Sequence, residues 1–209
     1  MNWKKNYFTL LQFAFIITGG IAIAFVKKGE LELFINQQLT HPFLDVLFKY
    51  LTYLGDGFML LPVFIMLLFI KFRWAAILAI TALYQLLIVH INKRILFSGM
   101  VRPKAFFEGY HLHFVEGVKV HSYNSFPSGH TATAFAIFYL LALMSGKKSW
   151  SIFFFLLSIA TGFSRIYLMQ HFFIDVYAGS IAGCLATLLA VYTIKKFGNN
   201  PFLERKIRI

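Results

Sequence analysis

The sequence contains little charge, few acidic residues and almost no cysteine. Only 13% of its 209 residues are charged, and 8 acidic side chains stand against 20 lysines and arginines. The single cysteine, Cys184, excludes an internal disulfide and a zinc site built from several thiolates. Because 59% of the residues are hydrophobic, one water-soluble core could not bury them all, and the sequence predicts an integral membrane protein.

Apolar blocks of membrane-spanning length alternate with short charged segments. A helix needs about 20 apolar residues to cross the roughly 30 Å hydrocarbon core of a bilayer. Six blocks come close to this length, at residues 8–26, 55–70, 74–91, 130–145, 150–163 and 172–194. We therefore predict an all-α, six-helix membrane bundle, and a single domain over residues 1–209, since no repeat, linker or change in composition divides the chain. Residues 31–53 mix apolar and polar positions, which favours a helix lying in the interface and starting near Pro42.

The basic residues lie at the ends of the apolar blocks. They form no stripe with interleaved aromatic residues, so the net charge of +12 does not indicate nucleic-acid binding. Lys71, Lys147 and Lys195 fall on the side that would hold both termini, which predicts cytoplasmic termini. The long loop between the third and fourth blocks, residues 92–127, is then extracytoplasmic, on the periplasmic side of a bacterial inner membrane. Loops of this length are usually functional.

A short motif, Pro127-Ser128-Gly129-His130, directly precedes the fourth block. Because the first N–H groups of a helix have no partner within it, the start of this block can bind an anion. The Ser128 hydroxyl can add a donor, Gly129 lets an oxygen approach the backbone, and His130 can donate or accept a proton. Taken alone, the motif is equally typical of a serine N-cap followed by a helical histidine.

A second motif, S-R-x5-H-x3-D, joins Ser164, Arg165, His171 and Asp175 across the turn between the last two blocks. Residues i and i+4 of a helix share a face, so the Asp175 carboxylate can accept an imidazole N–H of His171. This contact would fix the tautomer and leave the other ring nitrogen free as a nucleophile. The alternative is a salt bridge between Asp175 and Arg165 that only joins two helices.

Two further basic pairs, Lys93-Arg94 and Arg102-Pro103, supply cations on the same side as the histidines. The arginine fork grips phosphate oxygens through two hydrogen bonds, and lysine adds a mobile point charge. A basic anchor in the membrane interface is the alternative, and it is the interpretation we favour for Arg94.

With these three segments the chain resembles the type 2 phosphatidic acid phosphatases, whose site is similar to that of the vanadium haloperoxidases. The family pattern is K-x6-R-P, then P-S-G-H, then S-R-x5-H-x3-D. The second and third motifs match without a change in spacing, at residues 127–130 and 164–175. In the first motif eight residues separate Lys93 from Arg102, and Ile95 occupies the strict lysine position. We take Lys93 as the matching cation and Arg94 as its substitute.

The resemblance implies a role for each matching residue. His171 would attack phosphorus and form a phosphohistidine, Asp175 would orient it, and His130 would protonate the leaving lipid oxygen and then activate water. The remaining matched residues would hold the phosphoryl oxygens: Lys93, Arg102, Ser128, Gly129 and Arg165. No metal and no cofactor is expected, because the cations take the place of a metal.

The sequence thus predicts an enzyme that hydrolyses the phosphomonoester or terminal diphosphate of a membrane lipid. Phosphatidic acid, phosphatidylglycerophosphate, a polyprenyl diphosphate and a lipid A phosphate are the candidate substrates. The expected partners are the phosphorylated lipid and the membrane. The alternatives are a haloperoxidase that holds vanadate in the same site and a non-catalytic membrane protein that binds or moves phosphorylated lipids.

Overall fold

The computed structural model describes residues 6–197 and 200–207, and their regular structure is entirely helical. In these ranges the α-helices are α1 (Tyr7–Phe25), α2 (Glu30–Gln38), α3 (Pro42–Leu51), α4 (Leu60–Ile70), α5 (Phe72–Ile91), α6 (Pro103–Phe106), α7 (Gly129–Ser145), α8 (Lys148–Tyr167) and α9 (Phe173–Lys196). Short 3₁₀ helices occur at Thr52–Gly55, Gly57–Met59 and Pro201–Glu204. A π-helical turn, Asn92–Leu96, extends α5.

The predicted all-α membrane class is confirmed, while the count of six crossings stays a prediction. Among the described residues, α1, extended α5, α8 and α9 are long and apolar enough to cross a membrane. The segments Pro42–Gly55 and Gly57–Ile70 satisfy the same criteria only together, and they are bent by 58° where they meet. The fourth predicted block corresponds to α7, which has 17 residues.

The exposed face of α1 is apolar. Leu10, Phe13, Ile17 and Ile21 recur every three or four residues, and each is more than half exposed. Side chains at this spacing share one face of a helix. Such a continuous apolar surface is unfavourable in water but favourable against lipid tails, so it supports a position of the bundle within a bilayer.

Helix α7 is enclosed by other helices rather than by lipid. Every residue from 131 to 140 is buried, and α5, α8 and α9 all pack against it. Polar bonds join it to its neighbours: Gln85 Nε2 of α5 donates to Thr133 Oγ1 at 2.7 Å, and Thr187 Oγ1 of α9 donates to the Ala136 carbonyl at 3.2 Å. A helix surrounded by protein need not span the full hydrocarbon thickness, which accounts for the short length of α7.

Glycines on α9 allow α7 to approach closely. A Cβ added at Gly179 would lie 2.6 Å from the Ser128 carbonyl oxygen, and one added at Gly183 would overlap the Ala132 carbonyl. On α8, a Cβ at Gly162 would lie 2.9 Å from Val176 Cγ1. Small residues at such crossings let helix backbones pack closely in membranes. This packing fixes the first turn of α7 against the first turns of α9.

Several predicted boundaries differ from the structure. Helical structure continues to Leu96, so the segment between α5 and α7 begins later than the predicted residue 92. Residues 97–128 are irregular apart from α6. Helix α8 runs to Tyr167 rather than ending at residue 163. Residues 31–53 form two helices separated by a turn, and Pro42 begins the second of them, as predicted.

We expect Gly183→Ala to destabilise the fold by roughly 1–3 kcal/mol, because the added methyl group forces α7 and α9 apart. The measurement is the midpoint of thermal unfolding of the purified protein in detergent. Gly57→Ala is the matched control, since a Cβ there meets nothing within 4 Å. Equal midpoints for the two variants would contradict the close-packing interpretation.

Candidate active site

The predicted site residues converge at one end of the bundle. Adjacent helices run in opposite directions, so the end of α5, the start of α7, the end of α8 and the start of α9 lie together. These ends carry Lys93, residues 128–130, Arg165 and His171, and Arg102 reaches them from the loop that precedes α6. Lys93, Arg102, Arg165 and His130 are all close enough for their charges to act on His171.

His171 and Asp175 form the predicted pair. Nδ1 of His171 lies 3.3 Å from Asp175 Oδ2, and both side chains are almost completely buried. A carboxylate accepts hydrogen bonds, so this contact places the imidazole proton on Nδ1 and leaves the lone pair on Nε2. The salt bridge between Asp175 and Arg165 that the sequence left open is not the arrangement found, since Arg165 donates to Thr52 instead.

Asp175 is itself held in place by two further donors. Its Oδ2 accepts a hydrogen bond from Ser125 Oγ at 2.5 Å and from the Phe172 N–H at 2.9 Å. Next to it, Glu32 Oε1 of α2 accepts the Phe173 N–H at 2.6 Å. These bonds satisfy N–H groups at the start of α9 that have no partner within the helix. The carboxylate that faces His171 is therefore fixed from several sides.

Burial is the main influence on the protonation of His171. It lowers the pKa of the imidazole well below its ordinary value, and the nearby charges of Arg102, Arg165 and Lys93 lower it further. The imidazole is therefore neutral at physiological pH. A neutral imidazole with a free Nε2 lone pair has the form required of a nucleophile.

Arg102 is fixed by carbonyl groups around its guanidinium. Its Nε donates to the Tyr123 carbonyl at 2.9 Å, and its Nη1 donates to both the carbonyl and Oε1 of Gln170 at 3.1 Å. The Gln170 amide in turn donates to the Lys119 carbonyl at 2.8 Å. The Arg102 side chain is thus held by neutral acceptors, and no carboxylate among the described residues is bonded to its positive charge.

Arg165 is buried at the end of α8 with an incomplete set of hydrogen bonds. Its Nη1 donates to Thr52 Oγ1 at 2.5 Å. Its Nε is buried and makes no hydrogen bond with the residues that the structure describes. An unpaired buried donor on a cation is costly, and an oxyanion in the site would satisfy it.

Ser128 and Gly129 begin α7 as the sequence predicts. Ser128 is the N-cap: its Oγ accepts from the Thr131 N–H at 3.4 Å and from Thr131 Oγ1 at 2.9 Å. The serine hydroxyl proton is not used in either bond. A Cβ at Gly129 would meet only Val89 Cγ1, at 3.8 Å, so packing within the protein does not require glycine there.

The neighbouring positions Lys93 and Arg94 differ in their surroundings. Lys93 is partly buried, and it interacts electrostatically with Arg102, Asp175 and Arg165. Arg94 is exposed on the surface of the bundle. The structure therefore brings the side chain of Lys93, rather than that of Arg94, toward the other site residues.

Sequence reasoning missed three residues that hold the site together. Ser125 bonds Asp175, Gln170 bonds Arg102, and Thr52 bonds Arg165. Ser125 lies two residues before the second motif and Gln170 lies within the third, so proximity in sequence is a usable signal for both. Thr52 lies far from all three motifs in sequence, and only the packing of the turn before α4 brings it to Arg165.

A family model places these observations among known proteins. The model described as "PAP2 superfamily" matches residues 58–199, which is more than half of the chain and includes all three motifs. A curated relative, the bacitracin transport permease protein BcrC of Bacillus licheniformis, is 40% identical over 73 residues. That alignment covers 35% of this chain and 35% of the relative, so the matched part spans about a third of its length.

Two crystal structures are similar to this chain over most of its length. LpxE of Aquifex aeolicus is 30% identical, with a TM-score of 0.68, over 79% of this chain and 94% of that protein. A transmembrane PAP2 type phosphatidylglycerolphosphate phosphatase of Bacillus subtilis is 23% identical, with a TM-score of 0.57, over 91% and 97% of the two chains. At that identity the second structure supports the fold alone.

We expect the fold to lose stability as the pH falls below about 6.5, the ordinary pKa of histidine in an unfolded chain. Since the pKa of folded His171 lies well below that value, the unfolded chain binds a proton there that the folded chain does not. The free energy of unfolding therefore decreases as the pH falls. The measurement is the thermal midpoint in detergent across this pH range, and His171→Gln should lose part of the slope. Identical slopes in both proteins would contradict the prediction.

Proposed function

Because the chain belongs to the PAP2 superfamily, we propose that it is a phosphatase that removes a terminal phosphate from a membrane lipid. One observation carries the proposal beyond family membership. A buried neutral imidazole, oriented by Asp175, shares a site with three cations, and one of these cations has an unpaired buried donor. This combination suits an incoming phosphoryl group, which brings negative oxygens to the cations and an electrophilic phosphorus to the imidazole.

The first chemical step would be attack by Nε2 of His171 on phosphorus. The bond from nitrogen to phosphorus forms as the bond from phosphorus to the lipid oxygen breaks, and the departing oxygen takes a proton from His130. In the second step His130 would accept a proton from water, which attacks the phosphohistidine and releases inorganic phosphate. Asp175 would stabilise the positive charge that develops on His171 during the first step.

The cations and the start of α7 would hold the three non-bridging oxygens. Three kinds of donor have no fixed acceptor among the described residues: Arg165 Nε, the Ser128 hydroxyl, and the backbone N–H groups of Gly129 and His130 at the start of α7. Lys93 and Arg102 add positive charge. Charge that spreads over the oxygens in the transition state is stabilised by such a preorganised set.

Metal independence is part of this proposal. Among the described residues, no three histidine, cysteine, aspartate or glutamate side chains are grouped as metal ligands. Arginine and lysine can stabilise the same phosphoryl charge that Mg²⁺ stabilises in kinases and GTPases.

A lipid is the substrate class that fits the position of the site. The site lies at the ends of membrane-type helices, so the tail of an amphiphile can stay in the bilayer while its phosphate reaches His171. Phosphatidic acid, phosphatidylglycerophosphate, a polyprenyl diphosphate and a lipid A phosphate are the candidates that we propose to compare.

We also propose that the site faces the extracytoplasmic side. The opposite end of the bundle carries Lys71, Lys147 and Lys195. At that end Glu204 pairs with Lys71 at 2.5 Å and with Arg73 at 2.6 Å, so the C-terminal segment lies there too. The excess of positive charge at this end supports a cytoplasmic position for it.

We expect the purified protein to release phosphate from at least one lipid of this panel in the presence of EDTA. His171→Ala should abolish the release, because it removes the proposed nucleophile. His90→Ala, an exposed histidine on α5, is the matched control and should remain active. The assay measures inorganic phosphate, with each lipid presented in detergent micelles.

The result also tests the second candidate function, a membrane protein that binds or moves phosphorylated lipid without cleaving it. The similarity to a protein named as a transport permease favours this candidate. Binding of lipid phosphates without phosphate release from any of them would support it and contradict the enzyme. Activity with no acid-labile, alkali-stable phosphoprotein after rapid quenching would retain the enzyme but contradict the phosphohistidine.

We expect Lys93→Ala to lower kcat/KM by about 100-fold to 1000-fold, the usual effect of losing one group that stabilises transition-state charge. Arg94→Ala is the matched control, because it also removes one basic side chain, at the next position. It should have little effect on kcat/KM because the Arg94 side chain is exposed. A larger loss in Arg94→Ala than in Lys93→Ala would assign the first-motif cation to Arg94.

A further inference from the structure

A carboxylate outside the three motifs faces the second histidine of the site. Asp56 Oδ2 lies 3.7 Å from His130 Nε2, and the side chains of both residues are 34% exposed. This distance is that of an ion pair, which forms when the imidazole carries a proton. We infer that Asp56 is a positioning residue that holds the protonated form of His130 for its role as general acid. The inference rests on the proposed phosphatase function.

The backbone before α4 fixes Asp56 over the first turn of α7. Asp56 Oδ1 accepts the Phe58 N–H at 3.1 Å, which leaves Oδ2 for His130. The preceding residue, Gly55, packs so closely on α7 that an added Cβ would overlap the His130 carbonyl oxygen. The same turn carries Thr52, which bonds Arg165. The segment 52–56 therefore contacts two of the three motifs and acts as a fourth part of the site.

Electrostatics give the carboxylate a specific task. The charged groups that act on His130 are Arg165 of α8, Lys93 at the end of α5, Arg102 of the loop and Asp56 itself. Burial of the imidazole opposes its protonation most strongly, and the three cations repel an additional positive charge as well, yet a general acid must carry a proton when the substrate binds. Asp56 supplies the negative charge that offsets this repulsion. Its charge also acts on Arg165, so it balances two cationic groups at once.

The geometry also separates the two imidazole nitrogens of His130 by function. Asp56 faces Nε2, and Nδ1 forms no hydrogen bond with the residues that the structure describes. A proton on Nδ1 is therefore free to be transferred to a leaving oxygen, while the Nε2–H remains directed at the carboxylate. The pair of His130 and Asp56 thus resembles the pair of His171 and Asp175, except that Nε2 of His130 and Nδ1 of His171 are the nitrogens that face the carboxylates.

Helix capping alone is the competing explanation for Asp56, and Asp56→Asn distinguishes the two. Asparagine keeps the volume and an Oδ1 that accepts the Phe58 N–H, so the cap survives. It removes the negative charge that His130 faces. We therefore expect an unchanged thermal midpoint, which a capping role also predicts, together with a changed pH profile, which a capping role does not predict.

The experiment is the pH dependence of kcat/KM for the native protein and Asp56→Asn on the best lipid of the panel. The kcat/KM profile reports the essential acid and base of the free enzyme, and His130 as general acid sets its alkaline limb. Loss of the carboxylate should move this limb to lower pH by about one unit, which is about a tenfold loss of kcat/KM above the limb. Ionisation of the substrate is common to both proteins and cancels in the comparison.

Asp45→Asn is the matched control. Asp45 is also a partly buried carboxylate near a helix start, but it contacts the Tyr167 hydroxyl at 2.6 Å and His113 Nε2 at 2.9 Å instead of His130. The alkaline limb of the kcat/KM profile of Asp45→Asn should coincide with that of the native protein. An unmoved limb in Asp56→Asn, or an equal shift in Asp45→Asn, would overturn the inference. Because the native protein is measured in the same assay, a failure of the phosphatase proposal itself would show as absence of native activity.

Discussion

The repulsion between positive groups in a small buried space is the constraint on which the rest of the structure depends. Lys93, Arg102 and Arg165 approach one another beside His171. Repulsion between like charges that lie close together opposes folding, and burial away from water strengthens this repulsion. The protein offsets this repulsion without pairing the cations directly with carboxylates. Carbonyl groups surround Arg102, and a threonine hydroxyl accepts a hydrogen bond from Arg165. The two nearby carboxylates, Asp175 and Asp56, each face an imidazole instead. The result is a site whose positive charge remains available to an anion.

Such a site needs a rigid support, and the enclosed helix α7 provides it. Glycines on α9 let the two helices touch through their backbones, and the Ser128 N–H donates to the Asp175 carbonyl at 3.0 Å. This bond links the second motif directly to the third. A displacement of the first turn of α7 would therefore move Ser128, Gly129 and His130 relative to His171. Close packing of small residues thus serves the geometry of the site.

The sequence predicted the positions of the motif residues at helix ends well and their supporting partners poorly. His171 and Asp175 were predictable because a helix brings i and i+4 together whatever surrounds it. Ser128 was predictable because an N-cap depends on its neighbours in sequence. Gln170, Thr52 and the second role of Asp56 were not predictable in this way, since each acts on a partner from another part of the chain. The length of α7 was predicted closely, but its enclosure by other helices and the bend before α4 were not, because apolar length does not show whether lipid or protein surrounds a helix.

By itself the sequence determined the class of the protein and the residue types of its candidate site. Composition and block length required membrane-type helices, and the fixed spacing within each motif placed the reactive side chains at helix ends. Only the tertiary structure decided which of two adjacent cations, Lys93 or Arg94, turns toward the site, and that a carboxylate outside the motifs faces His130. The physical reason is that spacing along a helix is set by local backbone geometry, whereas burial and charge at a point in space are set by every segment that packs there.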